Sequence, residues 1–428
     1  MTISSSMNAG VAGLNVNASK LATISDNIAN SSTYGYKRST ADFHSLVVGE
    51  SKGAYSAGGV RVTTGRTVDQ RGTLITTNNP TDLSIGGRGM LPVTPVTAVA
   101  AGGITPLQMT STGSFRADAD GVLRTASGLA LLGWPAESDG TIPDFPRDTL
   151  GGLKPIIVPT NSLDAAPTTT IGLGVNLPAT DAIAGSTGPA KAMTVEYYGN
   201  LGQPETLGIT FTPTGTANQW ALEIRDNAAG GTLVGEFQVT FDATAANGGT
   251  IDTVAVTGAG TWTGTTGNLS VTTASGNLDI NIGRQFEPTG LSQLGDTFAP
   301  LSLTKDGSPV GTLAGLEVDA GGNLNAIYNT GFTKTLYKIP VIDVPNPNGL
   351  RALSNQTFQA STESGSFYLW DAGTGPVGDV VGFSREESTT DVASELTQLI
   401  TTQRAYNSNA KVIQTVDEML QETTNIKR

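Results

Sequence analysis

Side chains that commonly perform catalysis or bind metal ions are scarce in this chain of 428 residues. Cysteine is absent, and His44 is the only histidine. Because the usual zinc sites take their ligands from several cysteine or histidine side chains, the composition excludes a zinc site of that kind. A single histidine is more often packed or solvated than catalytic. We therefore expect no catalytic residue, no metal site and no cofactor.

A few short motifs have the composition of binding loops without the required spacing. Asp118-Ala119-Asp120-Gly121 is similar to the start of a calcium loop, but the first and twelfth positions of that register lack a carboxylate. Gly86-Gly87-Arg88-Gly89 does not have the G-x-G-x-x-G spacing, and neither a phosphate loop nor a nucleophile elbow occurs. Asp343 and Glu317 have no evident partner carboxylate of the glycosidase kind. These observations predict a hairpin turn at 118–121 and no enzyme.

The composition also limits the possible partners. The formal net charge is −13, and only 14% of the residues are charged. Binding to nucleic acids and to anionic membranes depends on Lys and Arg, so we expect neither a nucleic-acid partner nor membrane insertion. No run approaches the ~20 apolar residues that span a bilayer. The first residues, MTISSSMNAG, contain neither a basic segment nor an apolar run, which predicts that no secretory signal is cleaved.

Apolar residues recur at spacings of three and four near both ends of the chain. The N-terminal seam consists of Met7, Val11, Leu14, Ala18, Leu21 and Ile28. The C-terminal seam consists of Val392, Leu396, Leu399, Tyr406, Ala410, Ile413 and Leu420. This spacing is typical of amphipathic helices with a narrow, coiled-coil-like apolar stripe. We predict one helix at each end of the chain and expect the two seams to form an assembly interface.

The region between the two helices has the alternation and turn residues of β-structure. The predicted fold is mainly β with terminal α-helices, and it comprises nested β-domains plus an N-/C-terminal helical coiled-coil layer. The predicted divisions are an N-terminal helix at 1–30, a linker at 31–72, the first part of an inner β-domain at 73–149, an inserted outer β-domain at 150–285, the second part of the inner β-domain at 286–360, a linker at 361–388 and a C-terminal helix at 389–428.

The seams alone leave several interpretations open. Ordering a residue costs ~1–2 kcal/mol in backbone entropy, whereas burying one seam side chain returns ~1.5–3 kcal/mol. One seam against one partner therefore barely stabilises a helix, so we expect both ends to fold when several neighbours surround them. One alternative is an intramolecular helical hairpin, and another is a membrane-surface helix, which has too few Lys and Arg residues here. The Thr/Gly-rich middle region alone would also fit a secreted β-rich adhesin.

Two motifs at opposite ends of the chain resemble those of one protein family. The N-terminal motif, Asn27 to Lys37, includes Asn27, Asn30, Gly35, Tyr36 and Lys37. The C-terminal motif, Gln403 to Ile413, includes Gln403, Arg404, Ala405 and Tyr406. Together they resemble the flagellar rod/hook axial protein family. The chain length and the single nested insert favour a hook-type member over a distal rod protein or a hook–filament junction protein.

This resemblance implies a structural role. A hook-type member would be a subunit that self-assembles into a flexible tubular universal joint and transmits motor torque to the filament. It would leave the cell through the flagellar type III export apparatus and reside in the extracellular hook of the bacterial flagellum. The implied partners are other copies of the chain, the flagellar rod protein, the hook cap, the hook–filament junction protein and the export apparatus.

Overall fold

The computed structural model describes residues 3–46, 58–102, 104–137, 140–159, 163–186 and 188–426. The chain divides into two compact units. Unit 1 comprises 1–160, 315–327 and 333–428, and unit 2 comprises 161–314 and 328–332. The fold is mainly β with a helix at each end, which confirms the predicted fold class.

Three α-helices occur among the described residues of unit 1. Helix α1 spans Ile3–Ala29, the short helix α2 spans Val96–Ala100, and helix α3 spans Val392–Ile426. The first turn of α3 is capped because Asp391 Oδ1 accepts a hydrogen bond of 3.0 Å from the backbone N–H of Ser394. A single 3-10 turn occurs at Pro347–Gly349. The two long helices therefore lie within the segments that the seams predicted.

The strands of unit 1 form several small antiparallel sheets and one large one. The small sheets are Ser39–Ser45 with Val60–Arg66, Leu74–Thr76 with Ser384–Glu386, Val341–Asp343 with Tyr368–Trp370, and Asp82–Gly86 between Asp379–Val381 and Thr112–Ser114. The large sheet contains, in order, Asn323–Tyr328, Thr333–Lys338, Leu129–Pro135, Leu91–Pro95, Gln108–Thr110, Phe358–Gln359 and Arg351–Ala352. Lys154–Pro155, Leu123–Arg124 and Arg116–Ala117 extend it beside Leu129–Pro135. Strands therefore occur in 31–72 and 361–388, the two segments predicted as linkers.

The core of unit 1 lies between these strands. Trp134, Met109 and Phe358 are almost fully buried there, together with Met90 and Ile342. The cluster combines residues that precede unit 2 in the sequence with residues that follow it. Unit 1 is consequently a single folded body that needs both halves of the sequence.

Unit 2 is a sandwich of two sheets around its own core. One sheet contains Lys191–Tyr198, Pro204–Pro213, Gln219–Asp226, Thr232–Phe241 and Ile251–Val256 in sequence order. The other contains Thr261–Thr263, Asn268–Thr273, Gly276–Asn281, Thr170–Leu177, Ser292–Gln293 and Ala299–Lys305. A further pair joins Leu163–Ala166 to Ser308–Val318, a strand that continues past the boundary of unit 2 at residue 314. Alternate side chains of the two sheets point inward, as the pattern predicted, and Phe211, Trp220 and Phe237 are fully buried.

The bounds of unit 2 differ from those of the predicted insert, 150–285. Ile156 and Val158 are buried in unit 1, where the segment before residue 160 pairs with Leu129–Pro135. At the other end, Ala299–Lys305 pairs with Thr170–Leu177. The predicted bounds, 150–285, rest on a change in amino-acid composition. The actual bounds of unit 2 are determined by strand pairing, which composition does not indicate.

Candidate assembly interface

Helices α1 and α3 pack against each other through small and polar residues. A Cβ atom placed on Gly13 would lie 2.7 Å from Asn409 Oδ1, and one placed on Gly10 would lie 3.0 Å from Ile413 Cγ1. The two helices therefore approach closely because these positions of α1 have no side chain. The Nδ2 group of the buried Asn17 donates a 2.7 Å hydrogen bond to the backbone oxygen of Gly13. The contact face therefore contains few of the apolar residues by which a buried helix face is recognised in a sequence.

The remaining contact face is also partly polar. The buried positions of α1 include Val16, Asn17, Ile24 and Asn27, and those of α3 are Glu395, Thr402 and Val416. The two helices therefore form an intramolecular pair, as the helical-hairpin alternative states. This differs from the expectation that both ends fold only among several neighbours. The two helices pair because of the close contact at the glycines of α1 and because of the ion pairs at the ends of the helices. The balance of backbone entropy against apolar burial did not include these contacts.

The predicted seams lie mostly outside this pair. Met7, Val11, Ala18, Val392, Leu396, Tyr406 and Leu420 are exposed, whereas Leu14, Leu21, Ile28, Leu399, Ala410 and Ile413 are half-buried. Val11 is 43% exposed and Leu396 is 47% exposed. These exposed fractions are high for apolar side chains that recur every three or four residues along a helix. Ile413 of the C-terminal seam lies close to Gly10 of α1. The seams are therefore available to other molecules, and their role as an assembly interface stays a prediction.

Helix α3 exposes three further apolar side chains that the seam did not include. Ile400, Val412 and Met419 are 50%, 46% and 53% exposed. Each lies next to a seam residue, at Leu399, Ile413 or Leu420, and therefore outside the three–four spacing. The exposed apolar surface of α3 is consequently broader than the sequence predicted.

The N-terminal motif forms a turn that connects α1 to the first strand. Asn27 is fully buried, and its Nδ2 group donates to the backbone oxygen of Ser39 (2.9 Å) and to Glu395 Oε1 (3.2 Å). Its Oδ1 atom accepts hydrogen bonds from the backbone N–H of Ser39 (2.8 Å) and from the Tyr36 hydroxyl (3.1 Å). An amide is the one side-chain group here that can donate and accept in this way. Asn27 therefore joins the end of α1, the turn and the start of α3.

Two ion pairs complete this junction, one fully buried and one between a buried glutamate and a partly exposed arginine. Lys37 Nζ lies 2.6 Å from Glu386 Oε1, and the two side chains are 0% and 2% exposed. Arg38 Nε contacts Glu395 Oε1, whose side chain is fully buried. Burial lowers the pKa of the Lys37 ammonium from its ordinary value, and the Glu386 carboxylate opposes that shift. We call Asn27, Lys37, Arg38, Glu386 and Glu395 the terminal junction.

Backbone geometry places the charged residues of the terminal junction. Gly35 has a φ of +71°, and a Cβ atom there would lie 2.9 Å from Thr112 Cγ2. Its N–H donates a 2.8 Å hydrogen bond to the backbone oxygen of Glu386. Asn30 Nδ2 donates to the backbone oxygen of Asp26 at 2.9 Å, which closes the end of α1. The motif therefore specifies a turn that directs Lys37 and Arg38 toward the segment before α3.

The C-terminal motif lies elsewhere, in the middle of α3. Gln403, Arg404 and Tyr406 are exposed, and Ala405 is half-buried. The structure therefore does not bring the two motifs together. The partners of the N-terminal motif are Glu386 and Glu395, which the sequence analysis did not single out. Glu386 is buried in the short strand Ser384–Glu386 and Glu395 is buried on α3, and nothing in the sequence distinguishes either from an exposed glutamate.

Two other kinds of site are absent from the described residues. No group of three or more His, Asp or Glu side chains that could hold a metal ion occurs in the described ranges. Among the helices of the described part of the chain, none is long and apolar enough to cross a membrane.

Comparison with known proteins identifies the family. The family model "Flagella basal body rod protein" matches residues 7–37, and the model "Flagellar basal body rod FlgEFG protein C-terminal" matches residues 382–426. The flagellar hook protein FlgE of Brucella suis biovar 1 is 33% identical over 435 residues, which cover 100% of both chains. The chain belongs to the flagellar hook protein family.

Other hook proteins match at similar length. The hook protein FlgE of Rhizobium meliloti is 30% identical over 439 residues and 100% of both chains. That of Salmonella typhimurium is 27% identical over 436 residues, covering 99% of this chain and 100% of the other. A crystal structure of Helicobacter pylori flagellar hook protein FlgE2 aligns with a TM-score of 0.48 and 13% identity, covering 74% of this chain and 99% of that one. The full-length sequence matches confirm the predicted family and its hook-type member.

Proposed function

We propose that this chain is a non-enzymatic subunit that polymerises into a flexible tube, the universal joint that transmits motor torque to the flagellar filament. The observation that carries this proposal is the position of the apolar seams. Seven of the thirteen seam residues stay exposed on α1 and α3 although the two helices already pack against each other. The partner surface for these seams therefore has to come from other molecules.

The exposed seams favour neighbours of the same kind. Burying an apolar side chain that is fully exposed contributes ~1.5–3 kcal/mol, so several seam residues on two helices supply a strong driving force for association. Monomeric soluble proteins rarely keep a large contiguous apolar surface in water. Regular three–four spacing suits packing against other helices with the same spacing. A layer of α1 and α3 helices from many copies would satisfy all of these requirements.

The terminal junction supports the transmission of torque. It ties both helices to the β-strands of unit 1 through the ion pairs Lys37–Glu386 and Arg38–Glu395. Removing one partner of a buried ion pair typically costs ~3–5 kcal/mol, so such a connection resists loosening. A force applied to the helices would be passed to the β-part of the same subunit rather than absorbed by a flexible linker.

The β-parts are proposed to form the outer layers, with unit 2 as the outer β-domain. Contacts between copies of these parts would be polar and small, and interfaces of that kind exchange between packings at low cost. Such exchange would allow the tube to bend while it rotates. We further propose that the chain is exported through the flagellar apparatus without cleavage of a signal peptide, and that its partners are the rod protein, the hook cap and the hook–filament junction protein.

Cysteine labelling would test the seam and the polymer together, because the chain has no native cysteine. Variants V11C and L396C would be treated with a maleimide before and after assembly is induced by salting-out, and the products would be viewed by electron microscopy. We expect tubes, with both cysteines reactive in the monomer and protected in the tube. A cysteine at the exposed turn residue Ala229 of unit 2 is the matched control for access of the reagent. Absence of tubes, or equal labelling of the seam cysteines in both states, would contradict the proposal.

A further inference from the structure

A cavity of about 610 Å³ in unit 1 carries positive charge although the chain as a whole is strongly acidic. Its lining includes Arg116, Arg124 and Arg385, with the ring of Tyr34 on one side. We call it the arginine pocket. Arg124 Nε pairs with Asp118 Oδ2 at 3.0 Å, so its charge is compensated within the chain.

The other two arginines of the pocket form no ion pair among the described residues, although Arg385 lies close enough to Asp82 to stabilise that carboxylate. Arg116 is exposed and has no ion pair within the described ranges. Arg385 stacks on Tyr34, with its Cζ atom 3.9 Å from the ring centroid, and its buried Nε atom has no hydrogen-bond partner among the described residues. Stacking fixes the plane of a guanidinium, which prepares it for bidentate contact with a carboxylate. The pocket is therefore built to receive a negatively charged group.

A loop at 140–150 in the same unit carries the opposite charge. Its Phe145 ring stacks on Trp134 with a centroid distance of 6.1 Å and an interplanar angle of 19°. Arg147 lies over the same Trp134 ring at 4.7 Å and pairs with Asp371 at 2.9 Å. Asp144 and Asp148, which flank these anchored residues, are exposed and form no ion pair in the part of the chain that the structure describes. The loop thus holds two free carboxylates on an anchored base.

The pocket and the loop lie at opposite ends of one strand, Leu129–Pro135. Leu129 lines the arginine pocket, and Trp134 anchors the loop. A strand rises ~3.3 Å per residue, so roughly 17 Å separate these two points. The pocket and the base of the loop are therefore separate surfaces of one chain. Two different, complementary surfaces on a subunit produce a head-to-tail contact that can repeat indefinitely.

We propose that the loop at 140–150 of one copy docks into the arginine pocket of the next copy, with Asp144 and Asp148 facing Arg116 and Arg385. This inference rests on the proposed function, because it assumes that copies polymerise. The occupant is a second copy rather than a small anion, because the chain itself carries an anchored loop with two exposed carboxylates that complement the arginines of the pocket. The contact would set the direction in which copies of unit 1 follow one another.

Charge reversal tests the docking. In R116D the pocket repels the loop, and in D144R the loop repels the pocket, so each variant alone should need an about tenfold higher concentration to polymerise. An equal mixture of the two should polymerise like the wild type, because each altered surface then meets its complement on the other variant. The double variant R116D/D144R should recover for the same reason. Exposed Arg225 of unit 2, changed to Asp, is the matched control and should assemble normally.

The outcomes separate this inference from the proposed function. Both positions are exposed, so we expect the variants to fold. Thermal unfolding of each monomer checks this. If both single variants polymerise like the wild type, the docking contact is wrong and the hook function stands. If they fail and neither the mixture nor the double variant recovers, the pairing of loop and pocket is overturned. If the wild type itself forms no tubes, the proposed function fails.

Discussion

Lys37 and Glu386 are 349 positions apart in the sequence, and their side chains meet at 2.6 Å in an almost completely buried site. The Lys37 ammonium also donates a 2.7 Å hydrogen bond to the backbone oxygen of Gln70, and Glu386 Oε1 accepts one of 2.7 Å from the N–H of Gly72. These contacts connect the segment after α1 to the segment before α3. The first and last parts of the chain therefore depend on each other.

Removal of one charge from this pair should destabilise unit 1. We expect K37M or E386Q to lower the free energy of unfolding by ~3–5 kcal/mol, because each leaves an uncompensated buried group. Urea denaturation followed by circular dichroism measures this change. The matched control is R225A, which breaks a solvent-exposed pair of unit 2 and should cost ~0–1 kcal/mol. Equal effects of K37M and R225A would contradict the assignment of the junction as a structural connection.

A charge on either seam should prevent polymerisation without unfolding the subunit. V11D and L396D place a carboxylate on exposed apolar positions of α1 and α3. In the monomer these positions face water, so thermal unfolding should change little, whereas in a helical layer the carboxylate would be buried without a partner. Sedimentation after induced assembly measures the loss of polymer. N15D, which adds a charge at an exposed polar position of α1, should assemble, and normal assembly of V11D and L396D would remove the seams from the interface.

Alkaline pH should weaken unit 2 through Tyr328. Its hydroxyl donates a 3.0 Å hydrogen bond to Asp164 Oδ2, and burial together with this carboxylate raises the pKa of Tyr328 from 10.0 to about 12. Because the folded-state pKa is the higher one, the contribution is complete below pH 10.0 and is lost as the pH rises toward about 12. Urea midpoints of the wild type and Y328F between these pH values measure the difference. The wild type should lose its advantage over Y328F as the pH rises, and a constant difference would contradict the coupling.

Deletion of unit 2 should leave unit 1 folded. Replacing residues 163–312 with a short Gly-Ser linker removes the sandwich and its separate core but leaves the core around Trp134 intact. We expect cooperative thermal unfolding of the remaining protein and tubes that are straight or stiffened, as electron microscopy would show. A deletion variant that is unfolded would show that the two units are not independent, and curved tubes of wild-type flexibility would contradict the role of unit 2 in bending.

The sequence predicted the helices correctly but not the face through which they meet. Apolar residues at spacings of three and four identified α1 and α3, because that spacing follows from the helix itself. The intramolecular contact uses Gly10, Gly13 and Asn409, and such residues give no apolar signal in a sequence. Which of two faces packs within the chain is decided by how closely the backbones can approach, and this depends on residues far apart in the sequence.

The terminal junction was predicted only in part, for a similar reason. The N-terminal motif was recognised as a unit, and its Gly35, Tyr36 and Lys37 form the turn after α1. Glu386 and Glu395 were not identified, because a glutamate in a sequence is normally exposed and only the folded chain shows that each faces a cation. In the β-region, alternation located the inward side chains of unit 2, whereas its bounds depended on the pairing of Ala299–Lys305 with a distant strand.

The glycine contact between α1 and α3 has a consequence for the order in which a subunit matures. The N-terminal helix, the turn after it and Lys37 each have a partner within the last tenth of the sequence, roughly from Glu386 onward. In a chain that ends before that point, Lys37 would lack the carboxylate of Glu386, and the glycine face of α1 would lack α3. Incomplete copies would thus not fold into the form that polymerises. The subunit would become able to assemble only when its final helix is present.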